Sequence, residues 1–435
     1  MDTTMNLRVA QRFMPAEPRS IEETGLSSGL LADLALKIIY SRGNLTGYEI
    51  GDALKLPFVN VTDHLLDSLR RDRLVEVKGS AGNGLGESSY QYALSEMGRS
   101  RARDLMEDSA YAGPAPVRLD AYNNAVMLQS LCGQPIPQDR MRAALKHLVI
   151  GEQMMAQIGP AINSGKSIFL YGQPGNGKTV LAESIGNMLP GAIFVPHAIH
   201  IDGHVVKVFD LLNHRPLREA EADGMVKRGE RYDKRWVLIH RPMIATGGEL
   251  MLDSLDLTYD ETNKFYEAPY QMKANGGVFL IDDFGRQQVR PRDLLNRWIM
   301  PLEKRVDFLT LVTGRKIEVP FDALIVFSTN LDPSELVDEA FLRRIRYKIQ
   351  VPDPDWEEFR EIFMRVCRSR EVEYSDEALR YLVTEYYLKL KRKPRSVHPR
   401  DLVDELLDIA RYRGISPTLT PQLLDQACKA YFLQV

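Results

Sequence analysis

Gly172, Gln173, Pro174, Gly175, Asn176, Gly177, Lys178 and Thr179 fit the spacing G-x-x-x-x-G-K-[ST], with Val180 directly after them. Glycines let a loop wrap so that successive backbone N–H groups point inward at a phosphate, and a helix opening at its end adds a dipole. Lys178 is spaced to reach the β- and γ-phosphates of a nucleotide, and the Thr179 hydroxyl to take one Mg²⁺ coordination position. Such a site needs a second metal contact, and "GGVFLIDDFGR" supplies two acids at the end of an apolar run. Asp282 is expected to hold Mg²⁺ through water, and Asp283 to orient or activate the attacking water. These residues together imply ATP with Mg²⁺.

The flanking patterns say what positions them. "SIFLY" reads as a short buried strand and "TVLAESIGNML" as a helix, so the glycine loop sits at a strand-to-helix turn. Val278 to Ile281 reads as a second buried strand, with Asp282 and Asp283 at its C-terminal end, where open α/β sheets gather ligands. Residues 140–351 alternate short apolar runs with helical patterns, as a mostly parallel sheet requires. Residues 352–435 are helical throughout and read as a separate helical domain. Ahead of both, residues 26–110 give three helices, the alternating strands "LVEVK" and "YQYAL" around "GSAGNGLGESS", and a fourth helix. Thr46 is placed as an N-cap, and Val61, Leu65, Leu66 and Leu69 share one face of the third helix. That order is similar to a winged-helix module. Residues 1–25 read as a tail and 111–139 as a linker, since Pro114 and Pro116 interrupt any helix there.

The two phosphate-site motifs and the segments downstream of them resemble the AAA+ ATPase superfamily over about residues 140–435. The expected fold is therefore an α/β P-loop nucleotide-binding domain with a helical lid, preceded by the winged-helix-like domain. The resemblance implies roles for further residues. "ALIVFSTN" ends in Asn330 at the sensor-1 position, and "DEAFLRRIRYKI" looks like the arginine-finger segment, with Arg343 and Arg344 as candidates. "SVHPRDLVDELLDIA" puts Arg400 at a helix start, similar to the sensor-2 arginine, and "HLVIGEQ" resembles the segment that packs on adenine. The hairpin signal around Thr313-Gly314-Arg315 looks like the pre-sensor-1 hairpin of the subgroup holding MoxR-type ATPases, enhancer-binding activators, Lon and RuvB-like motors. The activator signature GAFTGA is absent. Asp283 stands where the family usually has glutamate, one methylene short of the usual reach, and slow hydrolysis is the expectation.

An arginine finger acts on a neighbour's nucleotide, so the resemblance implies a ring or spiral homo-oligomer, a hexamer by family habit. Hydrolysis would then remodel or assemble a protein partner recruited by the N-terminal domain, as a MoxR-like chaperone does. Two rival readings stay open: a DNA-binding regulator or DNA motor, and a slow nucleotide-gated scaffold. Residues 20–110 hold 10 Lys and Arg against 14 Asp and Glu, and the third helix presents Asn60, Asp63, His64 and Asp67 outward, so nucleic acid is disfavoured.

Between 191 and 275 lies more chain than such a core needs. "HAIHIDGHVVKV" reads as a hairpin turning at Asp202-Gly203 with Ile199, Ile201, Val206 and Val208 on one face. Its His197, His200 and His204 raise zinc, against which a polar hairpin edge is favoured because His197 and His200 fall on opposite faces. Phe265, Tyr266 and Tyr270 suit either an aromatic pore loop or, the better reading, packing. The basic run at Lys389, Lys391, Arg392, Lys393 and Arg395 is flanked by acids and reads as a solvated lid edge or subunit contact. A formal charge of −3 supplies no global pull toward polyanions. There is no signal-like or membrane-spanning apolar run, and Cys132, Cys367 and Cys428 are few and scattered, so a soluble cytoplasmic protein is expected.

Overall fold

The computed structural model describes residues 13–80, 87–131, 134–218, 231–336 and 342–432. Its centre is a five-stranded sheet in the spatial order Met243–Thr246, Val278–Ile281, Leu324–Thr329, Ile168–Tyr171, Tyr347–Gln350. Every neighbouring pair is parallel. The strands are short apolar runs because both faces are covered. Ile168, Leu170, Val278, Leu280, Leu324 and Val326 pack with the helices Glu152–Asn163 and Lys178–Met188 on one side. Phe169, Phe279, Ile281, Ile325 and Phe327 pack with Phe284, Trp298 and Phe321 on the other.

The outer strand Met243–Thr246 lies inside residues 191–275, the stretch expected to be surplus to the core. An antiparallel pair, Ala192–Pro196 with Trp236–His240, runs directly into it. The corner is Arg241-Pro242, where the buried guanidinium donates to the carbonyls of Pro190 (2.6 Å), Gln129 (3.1 Å) and Gly276 (2.6 Å). Satisfying three carbonyls at one turn lets the chain leave one sheet for the next without orphaned backbone acceptors. The rest of the insertion builds a mixed sheet around the hairpin Ala198–Ile201/His204–Lys207, which turns at Asp202-Gly203. Ile199, Ile201, Val206 and Val208 are all buried in it. A further hairpin, Val306–Thr310 with Lys316–Pro320, turns through Gly314 at φ 81°.

Residues 28–108 form helices Ser28–Arg42, Gly47–Leu54 and Asp63–Arg71, strands Val75–Ser80 and Tyr90–Leu94, and helix Glu96–Asp108. Thr46 caps the second helix, its hydroxyl accepting from the Glu49 N–H while the Glu49 carboxylate returns to the Thr46 N–H. The third helix begins later than its pattern suggests. Val59 is extended and Asn60 left-handed at φ 65°, so a wider turn precedes Asp63. Val61, Leu65, Leu66 and Leu69 are nevertheless buried together. Most of the glycine-rich tip after Ser80 lies outside the described residues.

The span expected as a linker is structured. Val117–Arg118 pairs in parallel with Ile199–His200, and helix Leu119–Leu128 lies beyond it. Pro114 and Pro116 do break the helix pattern, but the chain resumes one three residues later. A buried ion pair fastens this junction: Arg235 and Asp233, 2.7 Å apart, while Arg235 also donates to the carbonyls of Thr24 (2.8 Å) and Pro116 (3.2 Å). Removing one partner strands a buried charge. Asp233→Ala is therefore expected to lower the unfolding free energy by about 3–5 kcal/mol, checked by urea unfolding. A loss within error of zero would show that the carbonyls alone satisfy Arg235.

Among the described residues no helix is long and apolar enough to cross a membrane.

Candidate functional site

Register brings the chemistry to one end of the central sheet. Thr329 pairs with Tyr171, and Ile281 with Phe327, so Gly172, Asp282 and Asn330 all emerge from the C-terminal ends of neighbouring strands. The chain leaves Ile168–Tyr171 for the far edge of the sheet, works back to its side, and finally crosses to Tyr347–Gln350. That reversal of order opens the crevice in which α/β folds bind ligands. The helix Lys178–Met188 starts at the end of the glycine loop, its N-cap Gly177 left-handed at φ 80°. Gly172 at φ 146° passes so close to the chain behind it that a Cβ there would lie 2.3 Å from the Val351 carbonyl oxygen.

Lys178, Thr179, Asp282, Asp283 and Asn330 form one connected network, its two parts joined by the Asp283 N–H, which donates to Asp282 Oδ1 at 3.0 Å. Lys178 Nζ donates to the carbonyls of Gly172 and Gln173, both at 2.9 Å, and to Asn330 Oδ1 at 2.6 Å. Asn330 Nδ2 in turn donates to Asp283 Oδ1 at 3.0 Å. Thr179 Oγ1 donates to Asp282 Oδ2 at 2.8 Å. Burial pushes the Lys178 ammonium below its usual range, and the Asp282 and Asp283 carboxylates oppose that shift. The acidic turn is braced: Phe284 N–H donates to the Ser328 carbonyl at 2.7 Å, and Thr329 Oγ1 to that of Phe284, also at 2.7 Å. Asp283 itself is left-handed at φ 49°. Aspartate tolerates that region better than glutamate does, which is a local reason for the shorter acid at this position. Pro174 and Val180 are exposed at the loop's outer edge.

Thr179 Oγ1 and Asp282 Oδ2 are hard oxygen donors within hydrogen-bond reach of one another, a donor set that suits Mg²⁺ better than a soft metal. Among the described residues, no three His, Cys, Asp or Glu gather to hold a metal. His197 and His204 instead pack their rings on Phe209 and Tyr266, and burial holds His197 down at about 4.

The helical domain supplies a residue that its sequence pattern places elsewhere. Arg400, expected near the phosphates, is exposed and pairs with Asp401 on its own helix at 2.9 Å. Arg395, assigned to the solvated basic run, bends over the loop instead. It pairs with Asp353 and donates to Gln173 Oε1 at 3.3 Å. Two other members of the run are also engaged, Lys389 with Glu385 and Arg392 over the Phe432 ring. The segment "HLVIGEQ" lies between the loop's helix and the lid: His147 Nε2 contacts Ser184 Oγ at 3.1 Å, and Arg365 donates to the carbonyls of Lys146 and Leu148.

The two arginine-finger candidates differ. Arg344 Nε is tied to Glu303 at 2.6 Å within the chain, whereas Arg343 is exposed. Of the three aromatics before the acidic strand, Tyr266 is buried with its hydroxyl accepting from Val312 N–H at 2.9 Å. Phe265 packs on Tyr111 and Tyr270 on Phe279, so all three serve the core.

A family model described as a domain of unknown function (DUF8689) matches residues 355–430, the helical domain. No curated protein matches the chain. Among solved structures, NtrX from Brucella abortus in complex with ATP aligns at 16% identity and a TM-score of 0.39, covering 65% of this chain. The chain spans a little over half of NtrX, 56% of its length. The RuvB Holliday junction branch migration motor of Thermotoga maritima aligns at 16% identity and a TM-score of 0.36, over 65% of this chain and 70% of RuvB. Similarity this low decides nothing about function.

Proposed function

We propose that the chain is an AAA+ ATPase that binds and hydrolyses Mg-ATP at the interfaces of a ring oligomer and uses the cycle to remodel or assemble a protein partner. The observation that carries this is the linked set Lys178, Asn330, Asp283 beside Thr179 and Asp282, at the crevice of a parallel sheet. Lys178 offers charge and donors to the terminal phosphates. Thr179 and Asp282 would hold Mg²⁺, which when bound neutralises charge developing on the β- and γ-oxygens. Asn330 fixes Asp283 through Oδ1, and we assign Oδ2 to orienting the attacking water and taking its proton. We assign to Arg395, which donates to Gln173 Oε1 on the loop, the role toward the phosphates that the pattern gave to Arg400. The test is phosphate release from ATP by the purified chain with and without Mg²⁺. No nucleotide binding in a folded preparation overturns the proposal.

The first four helices and their strands serve, in this proposal, as a winged-helix-like docking module for protein. Asp63 and Asp67 on its third helix take the Asn60 N–H and Arg70, while Lys78 is paired with Glu76. With the module's acids in excess, the full chain is expected to show no micromolar, salt-sensitive binding to random duplex DNA at physiological ionic strength. Binding that weakens steeply between about 50 and 200 mM salt would promote the DNA reading instead.

A further inference from the structure

The helical domain does not merely cover the glycine loop; it is hydrogen-bonded to it through a residue of the loop that has no assigned work on phosphate. Asn176 is buried and uses both ends of its amide on the far side of the crevice. Its Nδ2 donates to Asp353 Oδ1 at 2.8 Å, and its Oδ1 accepts from the Ser396 N–H at 3.3 Å. Beside it, the Val397 N–H donates to the Gly175 carbonyl at 2.8 Å. A Cβ on Gly175 would lie 2.6 Å from Val397 Cγ1, so lid and loop are in direct contact there. Asp353 also accepts from Arg395, joining the two lid contacts at one carboxylate.

Asp353 is well placed to act as a joint. It follows the last strand of the sheet, Tyr347–Gln350, and precedes the first lid helix, Trp356–Ser369. Pro352 and Pro354 flank it, and each proline narrows both its own backbone and that of the residue before it. The carboxylate is thus presented to Asn176 from a stiff segment, with little conformational freedom lost in making the contact. The same segment touches the loop's entry, where Val351 N–H donates to the Tyr171 carbonyl at 2.8 Å. A swing of the lid hinged at Val351-Pro352 would carry Asp353, Ser396 and Val397 away from the loop and break their contacts with Asn176 and Gly175, while the entry contact stays whole.

We propose that Asn176 and Asp353 form a latch through which the position of the helical domain sets how long the loop holds its nucleotide, Asp353 acting as a positioning residue. The proposal rests on the nucleotide-binding reading above. A latched lid keeps the loop wrapped and slows release; an unlatched lid lets the loop open.

The experiment measures release of a fluorescent ADP analogue from the full chain by chase with unlabelled ADP, in a double-mutant cycle. Asn176→Ala is expected to speed release about tenfold, most of it from losing the charge-assisted hydrogen bond to the Asp353 carboxylate and little from the long Ser396 bond. Asp353→Ala removes the latch and also a carboxylate that repels phosphate, so its own effect has no fixed sign. The decisive comparison is Asn176→Ala made on top of Asp353→Ala, where release should change less than about twofold. The same tenfold change in both backgrounds would overturn the latch, because Asn176 would then act without the lid joint. Release unchanged by Asn176→Ala alone would overturn it too. If alanine disturbs the loop's folding, Asn176→Ser keeps a polar group too short to span to Asp353 and gives the same comparison. Failure of the parent chain to bind the analogue is a separate outcome, which refutes the nucleotide reading and the latch with it.

Discussion

Lys178→Ala is expected to reduce ATP binding below detection at millimolar nucleotide, while Asp283→Asn binds ATP as the parent does and loses about 10² to 10⁴ of its turnover. The contrast arises from what each group touches. The Lys178 ammonium is buried and surrounded by acceptors, the carbonyls of Gly172 and Gln173 and the Asn330 amide oxygen. Removing it takes a cation and its donors away from the terminal phosphates and leaves three acceptors facing a polyanion. Asp283 lies at the other end of the same relay, beyond Asn330, and contributes no positive charge. Its amide analogue accepts the Asn330 hydrogen bond but cannot take a proton from water. Equilibrium binding of a fluorescent ATP analogue and phosphate release, measured on the same preparations, separate the two effects. Parental turnover in Asp283→Asn would remove it as the catalytic acid. Asp283→Glu is the companion: the longer side chain regains reach but must sit in a left-handed backbone at a cost of about 1–2 kcal/mol. A higher rate in that variant would identify the aspartate as a brake on the cycle.

The centre of this site was legible in the sequence because its determinants are local. A glycine loop between an apolar run and a helix, and two acids at the end of another apolar run, specify their own backbone. Parallel pairing then sets Gly172, Asp282 and Asn330 side by side. What was illegible depends on contacts distant in the chain. Arg395 and Arg400 are both arginines near the start of helix His398–Arg413. Nothing short of the lid's packing on Gly175 distinguishes the one that faces the loop. The acids flanking the basic run suggested a solvated edge, yet Asp353, 42 residues upstream, is the acid that draws Arg395 inward. The outer strand Met243–Thr246 was hidden for a related reason. It directly continues a strand of another sheet, and only the Arg241-Pro242 corner divides two apolar runs that periodicity cannot tell apart. The two-residue strand Val117–Arg118 is too short to carry any period at all.

Arg343→Ala is expected to leave ATP binding intact and slow hydrolysis by about 10³-fold or more, with Arg344→Ala the milder of the two. Both arginines come after the Asn330 strand and precede Tyr347–Gln350, but the structure treats them differently. Arg344 is half-buried and bonded to Glu303, so its loss disturbs an internal contact before it disturbs any neighbour. Arg343 is exposed, as a side chain must be if it is to reach the nucleotide of an adjoining subunit. If it acts in that way, activity should return when Arg343→Ala is mixed with Lys178→Ala. Each mutant alone lacks a working site, yet at some interfaces of a mixed ring an intact glycine loop meets an intact arginine. Recovery should track the statistics of mixed assembly, and should fail if the subunits are cross-linked before mixing. No recovery in mixtures shown to exchange subunits would count against action in trans. Light scattering that finds only monomer with ATP at micromolar protein would exclude it outright, and would leave the crevice to work alone within one chain.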